Sequence, residues 1–187
     1  LGKLEEALAG YQKAIRLRPD YPEAHNNLGI ALRELGKLEE AVTSCSKALA
    51  IKPDFAEAHN NLGLALKLLG RHEEAVTQCQ KTINLKPDFA EAYYNLGIAL
   101  KELGRLEDAV AAYHKALGLK PAYPMAYTKL LECVYTLGDR DRFYQELEKL
   151  ILEDTTNIGV AAISAFASNQ FGCHDPYPFC NSPMDFV

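Results

Sequence analysis

The sequence predicts an all-α fold in which helical hairpins stack along one axis as a solenoid. Residues 22–55 and 56–89 align without gaps and share 22 identities in 34 positions, and residues 90–123 continue the same pattern. Within each unit the apolar residues lie three or four apart, which is the spacing of an amphipathic helix. A 34-residue period combined with helical spacing is typical of stacked helix pairs.

Each unit divides into two helices, which we name A and B. In the first full unit the apolar positions of helix A are Ala24, Leu28, Leu32 and Leu35. Those of helix B are Leu38, Ala41, Cys45, Ala48 and Leu49. Cys45 and Cys79 occupy the same position of consecutive units. With Cys133 they are expected to be buried thiols of the core, because a disulfide framework is unusual in a domain with this much apolar helix.

Glycine and proline mark the ends of these helices. Helix A is followed by a glycine, the residue that a left-handed C-terminal cap favours: Gly36, Gly70, Gly104 and Gly138. Helix B is followed by Pro53, Pro87 and Pro121, which disfavour a helical residue before them. An Asp after the proline with a Glu three residues later predicts a capping box that begins the next helix A. The pairs are Asp20 with Glu23, Asp54 with Glu57, and Asp88 with Glu91.

These positions resemble the tetratricopeptide repeat (TPR) family, whose pattern combines a large residue, Leu-Gly, an aromatic or Leu, Ala, an aromatic, Ala and Pro. Residues 90–123 match it with Tyr93, Leu96, Gly97, Leu100, Ala109, Tyr113, Ala116 and Pro121. In the two preceding units His25 and His59 stand at the large position, and Cys45 and Cys79 at the second aromatic one. The resemblance covers residues 1 to about 154 and implies a right-handed TPR superhelix, an α-solenoid that binds protein partners without catalysis.

The same pattern predicts how the chain is organised. Residues 1–21 are a partial repeat with helix B only, and residues 22–55, 56–89 and 90–123 are full repeats. Residues 124–156 are a degenerate repeat, in which Leu131 and Phe143 stand where Gly and Ala otherwise recur. A capping helix over residues 157–168 and an irregular tail over residues 169–187 are expected to follow.

The two ends of the sequence indicate a fragment of a longer protein. Leu1 falls at repeat position 14, so the first helix B lacks its helix A and exposes an apolar face. Self-association through this uncovered helix is one way to cover that face. The apolar residues Phe186 and Val187 indicate truncation at the other end as well.

By the same resemblance, a concave groove lined by the A helices binds an extended peptide. Its lining residues are the second, fifth, sixth, ninth and twelfth of each repeat. They are Glu23, Asn26, Asn27, Ile30 and Arg33; Glu57, Asn60, Asn61, Leu64 and Lys67; and Glu91, Tyr94, Asn95, Ile98 and Lys101. Because acidic and basic residues are mixed, we expect a polar, extended protein or peptide partner.

One asparagine per repeat, at Asn27, Asn61 and Asn95, is the most informative feature of the predicted groove. A carboxamide both donates and accepts hydrogen bonds, so it can pair with a peptide backbone of any sequence. A similar asparagine ladder lines the TPR groove of the O-linked N-acetylglucosamine transferase family. The alternative is that these residues only cap or solvate the groove. The family motif for chaperone C-terminal carboxylates is excluded, since it requires Lys or Arg where this chain has Asn26, Ile30 and Asn95.

No pattern predicts a cofactor or a metal. His25 and His59 lie at equivalent positions of neighbouring repeats, on the order of 10 Å apart, which is too far for one zinc ion with bonds of about 2 Å. We therefore expect both rings to pack in the core. One further cluster has ligand chemistry: Cys173, His174, Asp175 and Cys180. Its spacing fits no metal motif, so we favour the interpretation that the cluster has no special role. The alternatives are a Cys173–Cys180 disulfide and a metal site.

Composition and charge exclude several functions. The net charge is −5, and residues 1–150 hold 20 basic and 21 acidic groups, so the basic surface of a nucleic-acid binder is absent. No apolar run reaches the roughly 18 residues of a membrane span. No signal peptide is recognisable. We expect a cytoplasmic location, with the native N-terminus missing from this sequence. Without a nucleophile elbow, phosphate loop or His-Glu-x-x-His motif, we expect no enzymatic activity in this chain.

The alternative function is that of a substrate-recruiting N-terminal arm of a larger enzyme. TPR arrays occur fused to glycosyltransferases, sulfotransferases and iron/2-oxoglutarate oxygenases. The degenerate repeat and the tail resemble a passage into such a domain. The reading frame beyond Val187 distinguishes this hypothesis from a free-standing scaffold.

Overall fold

The computed structural model describes residues 2–153, with side chains described over residues 2–149. Over this range every regular element is a helix, which confirms the all-α prediction. In chain order they are α1 (Gly2–Leu17), α2 (Pro22–Glu34), α3 (Leu38–Ile51), α4 (Ala56–Leu68), α5 (His72–Leu85), α6 (Ala90–Glu102), α7 (Leu106–Leu119), α8 (Pro124–Leu137) and α9 (Arg140–Glu153). The predicted capping helix, the tail and the Cys173–Cys180 cluster lie outside the described residues.

The described residues form two units, and each is considered by itself. The first ends at Gly104 and holds α1–α6; the second begins at Arg105 and holds α7–α9. In the first unit each helix packs on the next along the chain, and the A helices also contact one another, α2 with α4 and α4 with α6. In the second unit α8 packs on both α7 and α9. Contacts between near neighbours in the chain are typical of a solenoid.

The glycines that follow the A helices have the predicted conformation. Gly36, Gly70, Gly104 and Gly138 have φ angles of 76°, 76°, 73° and 73°, in the left-handed region where a Cβ is disfavoured. After α2, the amide of Gly36 donates to the Arg33 carbonyl (3.0 Å) and that of Lys37 to the Leu32 carbonyl (2.9 Å). These bonds satisfy carbonyls that the helix end leaves open. The helix-ending role of these glycines is confirmed.

The capping-box prediction for Asp20, Asp54 and Asp88 was wrong. The residue that precedes α4 is Phe55, and it makes no side-chain hydrogen bond to the helix. Asp54 lies one residue earlier, in a turn that the Phe55 amide closes by donating to the Lys52 carbonyl (3.3 Å). Its carboxylate is therefore displaced from the helix end. The helices α2 and α6 begin in the same way, after Tyr21 and Phe89.

The aromatic residues at these helix starts have a different partner. The Lys52 ammonium lies 5.1 Å from the centre of the Phe55 ring, and the Lys86 ammonium lies 5.0 Å from that of Phe89. Such cation–π contacts at exposed sites contribute about 0.5–1 kcal/mol. Each fixes the end of one helix B against the start of the next helix A.

Small side chains form much of the core of the first unit. Ala41, Ala48 and Ala58 are completely buried, which lets neighbouring helices approach closely. Cys45 packs in a cluster with Leu62 and Leu66 of the following repeat. Cys79 and Cys133 are also buried free thiols, so the prediction of three core cysteines is confirmed.

The two residues that make the fourth repeat degenerate both lie in the core of the second unit. Leu131 is fully buried on α8 and Phe143 is buried on α9. The Phe143 ring meets the rings of Tyr135 and Tyr144 edge-on, with centroid distances of 5.9 Å and 5.8 Å. Larger side chains thus fill this hairpin where Gly and Ala fill the others.

Candidate functional site

The fifteen residues predicted to line the groove all lie on α2, α4 and α6, within the first unit. We call them the A-helix surface. Because α4 contacts both α2 and α6, equivalent residues of successive repeats are neighbours across this surface. The structure thus gives each predicted residue a place on adjacent helices, whereas their role towards a ligand stays a prediction.

Hydrogen bonds between asparagines join the A helices. The Nδ2 of Asn61 donates to Oδ1 of Asn26 (3.0 Å), and the Nδ2 of Asn95 donates to Oδ1 of Asn60 (3.2 Å). Asn26, Asn60 and Asn95 are buried, where an unpaired amide would cost about 1–3 kcal/mol. The sixth-position asparagine of one repeat is therefore oriented by the fifth-position asparagine of the repeat before it.

These bonds use only part of each carboxamide. In the described residues, the Oδ1 atoms of Asn61 and Asn95 accept no hydrogen bond, and neither is a buried unpaired atom. Asn27 is half-buried, and its Oδ1 meets only the Asn26 Nδ2, at 3.5 Å. The three asparagines thus differ in how firmly they are held, but each keeps hydrogen-bonding capacity for a ligand.

One acidic residue of the A-helix surface, Glu57, is paired with the lysine that follows α5. Glu57 forms an ion pair with Lys86, with 3.4 Å between Oε1 and Nζ, and both side chains are about half exposed. Exposed pairs of this kind contribute little stability, typically 0–1 kcal/mol. The pair nonetheless offsets the charge of Glu57.

Two cations on the A-helix surface, Arg33 and Lys67, are less exposed than Glu57. Arg33 has a side chain only 20% exposed, and its Nη1 is buried without a hydrogen-bond partner among the described residues. Lys67, at the equivalent position of α4, is half-buried. Burial lowers the pKa of Lys67; Cys79 opposes this shift, and the positive charge of Arg33 adds to it.

The histidines have structural roles, as the sequence predicts. His25 Nε2 donates to the Pro19 carbonyl and His59 Nε2 to the Pro53 carbonyl, both at 2.9 Å. The Nδ1 of His59 lies 2.8 Å from Oε1 of Gln78. The bonds to Pro19 and Pro53 join each ring to the preceding repeat. Both rings are buried, and the packing interpretation is confirmed.

The sequence did not reveal the clefts between successive B helices. A cleft of 490 Å³ lies between α3 and α5, with His59, Leu62 and Lys81 in its lining. A cleft of 300 Å³ lies between α1 and α3, where His25, Leu28 and Lys47 hold the equivalent positions. The signal was present, because the same residue types recur at the same repeat positions around both. Neither cleft includes a residue of the A-helix surface.

Among the described residues, no group of three or more His, Cys, Asp and Glu side chains is arranged to hold a metal ion. No described helix has the length and apolar character needed to cross a membrane. The candidate site is the A-helix surface, with its carboxamides, its aliphatic residues and its charged groups.

Fold and site together define an all-α helical-repeat protein whose candidate site is shared by successive helices. The sequence model of the TPR repeat matches residues 1–32, 31–70 and 66–104, and that of the tetratricopeptide repeat matches residues 90–123. These matches cover well over half of the chain, which belongs to the tetratricopeptide repeat family. No curated protein matches the chain.

Solved TPR structures have the same fold. MamA 41-end from Desulfovibrio magneticus RS-1 is 27% identical, with a TM-score of 0.74 over 82% of this chain and 89% of that one. Another MamA structure is 28% identical, with a TM-score of 0.74 over 79% and 86% of the two chains. YrrB, described as a TPR protein with an unusual peptide-binding site, is 22% identical and has a TM-score of 0.69 over 86% and 84%. At that identity the likeness to YrrB concerns the fold alone.

Proposed function

We propose that this chain is a non-catalytic scaffold that binds an extended segment of a partner protein along the A-helix surface. The observation that carries the proposal is the pair of bonds from Asn61 to Asn26 and from Asn95 to Asn60. They orient the carboxamides of Asn61 and Asn95 and leave the Oδ1 atom of each free to accept. An extended chain offers backbone N–H and C=O groups at regular intervals, so it can be recognised without regard to its side chains.

The energetics of such a site favour an extended ligand. The amides of Asn61 and Asn95 are oriented before the ligand arrives, which reduces the entropy that binding must cost. Ile30, Leu64 and Ile98 recur between the polar positions, and they are half-buried. They supply apolar contact beside the hydrogen bonds. YrrB shows that this fold can carry a peptide-binding site.

The test begins with peptides selected from a random library on the immobilised chain. Fluorescence anisotropy then compares the wild type with the variant Asn27→Ala, Asn61→Ala, Asn95→Ala. We expect at least about tenfold weaker binding, which corresponds to about 1.4 kcal/mol. Circular dichroism at low temperature checks that the variant is folded, since each lost inter-repeat bond costs about 0.5–1.5 kcal/mol of stability.

Asn84→Ala is the matched control, because Asn84 is exposed on α5 and lies outside the A-helix surface. It should leave the affinity unchanged. If the triple variant binds the selected peptides as tightly as the wild type, the asparagines act only within the protein. If the library yields no binding peptide, the extended-segment proposal is contradicted.

Three narrower hypotheses stay predictions beside this proposal. They are the recruiting arm of a larger enzyme, self-association through α1, and the cytoplasmic location. Light scattering at high protein concentration tests self-association, and a monomer would count against it. The continued reading frame tests the enzyme arm.

A further inference from the structure

Arg33, in the last turn of α2, lacks a good counter-charge. Its Nη1 is buried without a hydrogen-bond partner. Its Nη2 comes only within 3.9 Å of Glu34, the next residue, whose side chain is 48% exposed. A guanidinium is always charged and presents five donors in a fork that fits a carboxylate. A buried, unsatisfied donor of this kind is unfavourable unless an anion completes it.

Lys67 stands at the same repeat position as Arg33, in the following repeat. It is half-buried, and in the described part of the chain it makes no ion pair or side-chain hydrogen bond. The thiols beside the two cations supply no negative charge. Burial raises the pKa of Cys45 to about 11 and that of Cys79 to about 12, so both are neutral at neutral pH.

The register of α2 and α4 places these two cations on the same side of the A-helix surface. The bond from Asn61 Nδ2 to Asn26 Oδ1 aligns the two helices. Arg33 follows Asn26 by seven residues, and Lys67 follows Asn60 by seven. Seven residues are two helical turns, or about 10 Å along the helix. The cations therefore lie beyond the asparagine bonds, where they do not compete for the same ligand atoms.

Several other cations of the described residues have close carboxylate partners. Arg71 pairs with Glu74 at 2.6 Å, and Arg105 with Asp108 at 2.6 Å. Among the described residues Lys47 and Lys81 also make no ion pair, but they are exposed, whereas Arg33 and Lys67 are partly buried. What distinguishes Arg33 and Lys67 is that their charges are partly buried with no strong counter-charge.

We infer that Arg33 and Lys67 form an anion subsite that binds a carboxylate of the partner segment, either from an Asp or Glu side chain or from a chain terminus. The inference rests on the proposed function for the kind of ligand. A guanidinium and an ammonium on adjacent helices bracket a carboxylate, which supplies the missing counter-charge and offsets the repulsion between the two cations. This subsite lies at the twelfth repeat position, apart from the Asn26, Ile30 and Asn95 positions that exclude the chaperone-carboxylate motif.

The first test uses acetate as a probe and needs no peptide. The arginine Nε–Hε signals are followed by ¹⁵N NMR during titration with sodium acetate, with sodium chloride as the control of equal ionic strength. We expect a saturable shift of the Arg33 signal, assigned by its loss in Arg33→Lys, and no saturable shift for exposed Arg16. Lys67→Gln should weaken the saturation. An Arg33 signal that responds to acetate no more than to chloride would overturn the subsite.

The second test distinguishes the source of the carboxylate. Peptides selected by the wild type are synthesised with a terminal acid or amide, and with Glu or Gln at each acidic position. Arg33→Gln with Lys67→Gln should weaken binding about tenfold or more, because a charged partner is left unpaired. The matched control is Lys47→Gln with Lys81→Gln, which changes the net charge equally on the exposed B helices.

The outcomes separate the two proposals. A loss that follows terminal amidation assigns the subsite to a chain end, and a loss that follows Glu→Gln assigns it to a side chain. If the selected peptides bind tightly and keep their affinity when each of their carboxylates is removed in turn, the subsite is overturned while the groove function stands. Saturation by acetate without any peptide binding supports the subsite and contradicts the groove function.

Discussion

At the scale of single residues, the same glycine position has different surroundings in consecutive repeats. A Cβ added to Gly29 would lie 2.5 Å from Cys45 Sγ and 3.3 Å from the Ala41 carbonyl oxygen. A Cβ added to Gly63 would make ordinary contacts, the nearest being 3.4 Å from Gln78 Cβ. Close packing thus requires glycine at Gly29, whereas at Gly63 a methyl group has room.

Alanine substitutions at these two positions should have opposite effects on stability. Gly29→Ala forces buried atoms apart and should destabilise by about 1–3 kcal/mol. Gly63→Ala removes backbone freedom from the unfolded chain and should stabilise by up to about 1 kcal/mol. Urea unfolding followed by circular dichroism gives both values, and each variant is the control of the other. Equal effects of the same sign would show that the contact with Cys45 is unimportant.

At the scale of helices, local chemistry sets where each element ends. The end of every helix A depends on a single glycine. Because glycine has no Cβ, it adopts a φ near 75° at little energetic cost. The helix starts depend on more than one residue. The turn over Lys52–Phe55 places the aromatic residue at the helix start and displaces Asp54, so the capping pattern in the sequence was misleading.

Gly70→Ala tests this account of the helix ends. A Cβ in the left-handed conformation, at φ +76°, should cost about 1–2 kcal/mol. Gly10→Ala is the control, because Gly10 lies within α1 with no atom near its missing Cβ. That change should raise helix stability by up to about 1 kcal/mol. Thermal unfolding measures both, and a neutral Gly70→Ala would contradict the requirement for glycine in the turn.

At the scale of the whole molecule, stability depends on how many neighbours each helix has. In the first unit α4 packs on α2, α3, α5 and α6, whereas α1 packs on α2 and buries none of its residues. In a repeat protein the free energy is close to a sum of repeat and neighbour contributions. Opening should therefore be local and uneven.

Hydrogen exchange measures this directly. We expect the backbone amides of α4 to exchange slowest in the first unit and those of α1 fastest. Mass spectrometry after pepsin digestion resolves the two helices in one experiment. Uniform protection from α1 to α6 would indicate that the unit unfolds all at once, against the neighbour account.

The sequence by itself determined the helical repeat, the left-handed glycines, the buried cysteines and the family. These features follow from the period of apolar residues and from backbone preferences, which act within a few residues of the chain. It also named the positions of the A-helix surface, because the repeat assigns equivalent positions.

Only the tertiary structure decided which side chains meet. The bonds between Asn61 and Asn26 and between Asn95 and Asn60 join residues 35 apart, and the orphaned Nη1 of Arg33 is defined by what surrounds it. The different space beside Gly29 and Gly63 likewise arises from packing, although both sit in near-identical sequence. Hydrogen-bond partners and free volume depend on atoms that are distant in the chain and close in space, so no local pattern encodes them.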